Sequence, residues 1–157
     1  IEAVSRLSTG SLLVVGRGPE AQGLREMGLR ILGPDRFHLT SAVPEDMPQY
    51  YRLCDVFTLP SLNEPFGLVY LEAMACNRPV VAQRDRVRSY IVGSAGLLID
   101  CEDLTAYSAA LEEASRGGLG DRPREQAKQF SWERTGPMYL DAIREAIRLG
   151  HRRRQAH

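Results

Sequence analysis

The chain has 157 residues, 20 basic and 20 acidic side chains, and 43% hydrophobic residues. That length supports one domain with a sizeable core, the balanced charge argues against a nucleic-acid partner, and no apolar run reaches the roughly 18 residues of a membrane span. No segment has the pattern of a signal peptide, and an odd set of three cysteines, Cys54, Cys76 and Cys101, points to reduced thiols in a cytoplasmic setting.

Residues 11–15 are predicted as a strand, and Pro19 opens a helix that runs to about residue 32. A short strand at 37–40 and a helix at 45–53, beginning near Pro44, follow. Residues 55–60 form a short apolar run closed by Pro60, the pattern of a buried strand, and residues 78–82 form a second one. Between them a loop leads into a helix. Residues 86–92 are predicted as a short helix, 96–99 as a fifth strand and 104–115 as an amphipathic helix. The glycines of Gly117-Gly118-Leu119-Gly120 break the chain before two closing helices near 122–129 and 132–149. Met138, Tyr139, Ala142, Ile143 and Ile147 recur at helical spacing, which predicts that one face of the last helix packs on the domain. Alternating strands and helices specify an α/β fold: a Rossmann-like parallel sheet with helices on both faces, in one domain without repeats or a linker.

The loop between the third and fourth strands holds the strongest functional signal. Asn63-Glu64-Pro65-Phe66-Gly67-Leu68-Val69-Tyr70-Leu71-Glu72 sets two carboxylates eight residues apart, with Gly67 at the mouth of a helix. A helix that starts beside the carboxyl end of a parallel strand opens where such sheets bind ligands. Its first N–H groups lack intrahelical partners and sit in the positive field of the helix dipole. Backbone donors at Phe66, Gly67 and Leu68 are therefore suited to an anion, above all a phosphate, and Gly67 has no Cβ to hinder its approach. Glu64 falls in the loop at the pocket floor. Glu72 falls roughly one turn beyond Leu68 on the same side of the helix. Two acceptors flanking a phosphate site suit a molecule with hydroxyls at both ends of a diphosphate, such as a nucleotide sugar. Acids are also favoured near helix N-termini on electrostatic grounds alone, but the strand, the glycine and the small residues Ala73, Ala75 and Cys76 favour a site.

Gly16-Arg17-Gly18-Pro19-Glu20-Ala21 fits the dinucleotide fingerprint after a strand. The next strand ends His38-Leu39-Thr40-Ser41, with no acid for a ribose, which argues against NAD. The turn suits a sugar or phosphate approaching the Gly16 backbone with Arg17 lending charge, and it suits a purely structural turn as well. His38, His151 and His157 have no metal-ligand spacing. Arg84-Asp85-Arg86-Val87-Arg88 follows a strand on the ligand side, and reads best as a solvated, ion-paired helix start.

Taken in order, Val14-Val15-Gly16-Arg17-Gly18-Pro19-Glu20, Met47-Pro48-Gln49-Tyr50-Tyr51-Arg52-Leu53-Cys54-Asp55-Val56, the Glu64 window, Gly96-Leu97-Leu98-Ile99 and Phe130-Ser131-Trp132-Glu133 resemble the C-terminal domain of GT-B retaining glycosyltransferases of family 4, the glycosyl transferases group 1. The resemblance implies that the chain is the donor-binding half of an enzyme that transfers a sugar from a nucleotide sugar. Carried over by position, Glu64 contacts the donor sugar near the reacting face and is the candidate catalytic group. Glu72 binds ribose hydroxyls, Pro65, Phe66, Gly67 and Leu68 surround the distal phosphate, and Val43 lies near the base. It also implies no metal cofactor, because helix dipole and basic side chains take the leaving-group charge.

Two parts of the family pattern have no match here. One is a loop after the first strand that carries an Arg and a Lys for the diphosphate; residues 1–7 resemble the end of the helix that follows it, and the single lysine, Lys128, stands far along the chain. The other is the N-terminal, acceptor-binding half. The expectation is a single domain over 1–157 that lacks its first strand and that half, and is inactive alone. Relatives are glycine-rich where this chain has residues 84–88. In some relatives the acceptor is membrane-bound, so Arg148, Arg152, Arg153 and Arg154 leave a peripheral membrane acceptor open. The alternative is a non-catalytic nucleotide-binding or interaction module with the same fold; intact Glu64, Gly67 and Glu72 favour the enzyme.

Overall fold

The computed structural model describes residues 1–155, with side chains through Leu149; His157 and the side chains of His151, Arg152, Arg153 and Arg154 lie outside the described residues. Strand β1 (Leu12–Val15) pairs in parallel with β2 (Phe37–Thr40), Leu12 facing Phe37 and Val15 facing Thr40. Helix α2 (Ala21–Leu32) connects them. It ends at Gly33, whose φ of 79° only glycine adopts freely. Strands β3 (Phe57–Leu59), β4 (Val80–Gln83) and β5 (Gly96–Ile99) form a second parallel ladder in that order.

The sequence predicts one continuous sheet; the ladders are two. Strand β3 is only three residues long and runs into Pro60, which has no N–H to extend a ladder, so β3 pairs with β4 alone. The apolar side chains nevertheless bridge the gap. Leu12, Val14, Leu39, Val56, Val81 and Leu97 share one core with Phe37, Tyr107 and Leu111.

Strand β4 is buried on both faces, as an inner parallel strand requires, and Val80, Val81 and Ala82 are wholly inaccessible. Val81 points into the first core, under α6 (Leu104–Ser115). Val80 and Ala82 point into a second, with Tyr70 and Met74 of α4 (Leu68–Ala75) and Ile91 and Val92 of α5 (Arg86–Val92). Helices therefore cover both faces. Strand β5 approaches β4 so closely at Gly96 that a Cβ there would run into the Val80 carbonyl.

Helix α1 (Glu2–Ser5) is tied down by Arg36, which donates to the carbonyls of Gly10, Val4 and Leu7 at 2.7, 3.1 and 3.2 Å. Helix α3 (Met47–Leu53), preceded by a 3-10 turn at Pro44–Asp46, packs beside α4. Asn77, at the end of α4 with a φ of 60°, bonds Gly120 and Asp121 and so seats α7 (Arg122–Lys128). The three cysteines are free thiols.

Helix α8 (Trp132–Gln155) departs from expectation. Its apolar side chains do not pack on the domain: Met138, Tyr139, Ile143 and Ile147 are all more than half exposed. The helix runs past the end of the core, so the spacing that makes it amphipathic has no partner surface among the described residues. None of the described helices is long and apolar enough to cross a membrane.

Candidate functional site

The loop leaving β3 turns through Gly67, which holds a left-handed φ of 82° as the N-cap of α4. A side chain at this position would be strained, and a Cβ would also run into the Tyr70 ring. The side of Gly67 where a Cβ would stand is filled by the Tyr70 ring, so the turn itself requires glycine. The Glu64 Cγ lies 3.1 Å from the same point, so the Glu64 stem packs over Gly67 and its carboxylate stands beside the helix start, half-buried.

Among the described residues nothing accepts from the amides of Phe66, Gly67 and Leu68, and the helix begins its own bonding with Tyr70 N–H to the Gly67 carbonyl at 3.0 Å. At the amino end of α4 Leu68 is 64% exposed and Phe66 39%, while Gly67 between them is buried. Unpaired N–H groups at the positive end of a helix dipole can bind an anion there. Phe66 makes one wall, edge-on to Phe130, which in turn meets Tyr90 edge-on with ring centres 5.3 Å apart.

Glu72 is exposed on α4 and fixed from one side. The Tyr51 hydroxyl, on a ring only 3% exposed, donates to Glu72 Oε2 at 2.6 Å. Burial, then the bond to Glu72, pushes the Tyr51 phenol well above its ordinary range, so the hydroxyl keeps its proton and remains the donor. Among the described residues no side-chain hydrogen bond reaches the other Glu72 oxygen.

Behind the loop lies Arg88, which the sequence places in a solvated helix start. The ion pair with Asp85 is present, but Arg88 is 1% exposed. It is buried because every face of its guanidinium finds a partner. It pairs with Asp85, donates to the Ser61 carbonyl and donates from Nε to Tyr70 Oη at 3.2 Å. Tyr70 Oη donates onward to the Leu59 carbonyl at 3.0 Å. Arg84 is exposed and lies along β5, with Nε and Nη2 on the Leu98 carbonyl at 3.0 and 2.8 Å.

Glu64, Pro65, Phe66 and Gly67 form the loop into α4, Leu68 begins the helix, and Glu72 stands one turn further on the Leu68 side. Gly16, Arg17 and Val43 lie at the carboxyl ends of β1 and β2, and no hydrogen bond among the described residues joins them to that segment. Gly16, Arg17 and Gly18 line a cleft of about 200 Å³ with Val14, Leu24 and Leu39. The Gly16 amide is taken by the Thr40 carbonyl at 2.9 Å. Val43 is 48% exposed in extended backbone ahead of the 3-10 turn. Sequence reasoning missed Tyr51, Tyr70 and Arg88; a charged run beside a strand end carries no sign of which arginine turns inward.

A family model described as glycosyl transferases group 1 matches residues 1–116. The chain is 38% identical over 152 residues to a D-inositol 3-phosphate glycosyltransferase of Saccharomonospora viridis, an alignment that covers 87% of this chain and 35% of that protein. Its fold is similar to that of a sucrose-phosphate synthase from Thermosynechococcus elongatus, with a TM-score of 0.78 and 29% identity over 94% of this chain and 41% of that one. It also matches the fold of a pneumococcal O-GlcNAc transferase solved with UDP and GlcNAc, at a TM-score of 0.73 and 20% identity over 87% of this chain and 29% of that one. The chain spans about a third of the length of the curated relative.

Proposed function

The chain belongs to the glycosyl transferases group 1, and from that membership we propose that it is the donor-binding domain of a retaining glycosyltransferase that takes a sugar from a nucleotide sugar. The reading is supported by the amino end of α4, where the amides of Phe66, Gly67 and Leu68 have no partner among the described residues and lie in sequence between Glu64 and Glu72.

In this reading the three amides hold the distal phosphate, and the helix dipole stabilises the charge that grows on the diphosphate as the glycosidic bond breaks. Glu72, steadied by Tyr51, accepts from the ribose hydroxyls. Glu64, in the loop on the other side of the phosphate, accepts from hydroxyls of the sugar and acts at its reacting face. Pro65 shapes the turn, and Gly16, Arg17 and Val43 extend the donor surface towards the base. The reading includes no metal cofactor and a cytoplasmic location. An acceptor-binding half and the basic pair for the diphosphate belong to the rest of a longer protein, in keeping with the share of its relatives that the chain spans. The acceptor, peripheral to a membrane or soluble, is set by that half.

Calorimetric titration of Glu64→Ala and Glu72→Ala with UDP, GDP and ADP, free and carrying common sugars, tests the assignment. Glu72→Ala weakens the free diphosphate; Glu64→Ala leaves it bound and removes the extra affinity that the sugar confers. If neither substitution changes either affinity, the two glutamates are not ligand contacts.

A further inference from the structure

The loop that bears Glu64 has little to hold it. Residues 60–67 contain two prolines and one glycine, and the amides at its far end have no partner among the described residues. A loop of this kind samples many conformations unless something crosses it. A site for one anion geometry requires the opposite.

Beside the edge-on packing of Phe66 on Phe130, one buried polar side chain ties the loop to the body of the fold. Arg88 enters from α5, where the Asp85 carboxylate both caps the helix, accepting from the Arg88 amide at 2.8 Å, and pairs with the guanidinium. One nitrogen of the fork reaches the Ser61 carbonyl, two residues past the end of β3. Another reaches Tyr70 Oη, and Tyr70 holds the Leu59 carbonyl while its ring packs under the Gly67 turn. The loop is therefore pinned near its start through Ser61 and at its end through Tyr70, by one group wholly removed from water. Asp85 balances the charge of Arg88, and the guanidinium faces protein oxygens, so Arg88 acts on geometry.

We propose that Arg88 is a positioning residue of the donor site: through Ser61 and Tyr70 it sets the loop that presents Glu64 and the amides of Phe66, Gly67 and Leu68 to the diphosphate. The inference rests on the donor-site reading and deepens it. A lysine cannot replace Arg88, because one ammonium on a flexible stem does not span Asp85, Ser61 and Tyr70 in a plane. The effect belongs to ligand parts that touch the loop, the phosphates and the sugar, and spares the nucleoside.

The test is calorimetry on the chain and on two variants, Arg88→Lys, which keeps a cation for Asp85, and Tyr70→Phe, which keeps the ring and removes the hydroxyl. UDP, GDP and ADP are the probes, each paired with its parent nucleoside, and circular dichroism checks folding. Both variants stay folded, bind the preferred diphosphate about tenfold more weakly, and bind its nucleoside as the unaltered chain does. Diphosphate affinity equal to that of the unaltered chain in both variants overturns the inference while leaving the donor site in place. So does an equal loss for nucleoside and diphosphate, the mark of general loosening. If the unaltered chain binds none of the three diphosphates, the donor-site reading fails and this inference fails with it.

Discussion

The Tyr51 hydroxyl and Glu72 Oε2 meet at 2.6 Å across the contact between α3 and α4. The ring behind that hydroxyl is buried edge-on against Phe57, with centroids 5.5 Å apart, so the donor cannot swing away. A carboxylate on an exposed helix surface, which would otherwise sample several rotamers, is held in one.

Tyr51→Phe keeps the ring packing and removes the clamp. A hydrogen bond to a charged group contributes about 1.5–3 kcal/mol when buried; Glu72 is exposed, and water recovers part of it. The expected result is a loss of about 1 kcal/mol in unfolding free energy, a melting temperature lower by about 2–4 °C, and weaker nucleoside diphosphate binding as Glu72 loses its fixed rotamer. Calorimetry and thermal denaturation of the same preparation check both halves.

Gly67→Ala combines a left-handed backbone with a collision against Tyr70. The conformation costs about 1–2 kcal/mol and the overpacking about 1–3 kcal/mol, so a loss of about 2–5 kcal/mol in unfolding free energy is expected. Denaturant titration reads it directly. A loss below about 0.5 kcal/mol contradicts the packing described for Tyr70.

The pH dependence of stability has a definite sign on the alkaline side. Burial pushes the Cys101 thiol from 9.0 to about 11 and the Tyr107 phenol from 10.0 to about 12, and raises Cys54 and Tyr70 as well. The unfolded chain loses these protons first. The stability they contribute is full below pH 9, and it declines as pH rises towards the folded values, since the unfolded state then binds fewer protons than the native one. Guanidinium midpoints should fall steadily from about pH 9 to about pH 11; a constant midpoint over that range counts against burial of these groups.

Trp132 is the single tryptophan, and it is 79% exposed at the start of α8. Its fluorescence in the isolated chain should be that of a water-exposed indole, quenched by iodide almost as in the unfolded chain. A blue-shifted, shielded emission means that α8 packs its apolar stripe on the domain after all.

Strand and helix order was legible because each element carries its own period. Val80, Val81 and Ala82 form an unbroken apolar run, since an inner parallel strand is buried on both faces, and residues 96–99 and 104–115 end where their spacing ends. The glutamates and Gly67 were legible for the same reason, because a helix start fixes their relative positions locally. Other features depend on contacts distant in sequence. Nothing in residues 84–88 says that Arg88 turns inward to Ser61 and Tyr70 while Arg84 lies along β5. The spacing in α8 states only that a face is apolar, and the partner for that face is not written in the same stretch. The division of the strands into two ladders follows from the shortness of β3, which Pro60 announces only in part.

In the proposed donor site the amino end of α4 receives the phosphate of an activated sugar. An amide NMR titration of the chain with UDP, GDP and ADP should then give saturable shifts at Phe66, Gly67 and Leu68, with smaller ones around Glu72. Binding that leaves those amides unmoved, with shifts confined to the cleft lined by Ser94, Glu113, Gly117 and Arg122, would contradict that assignment.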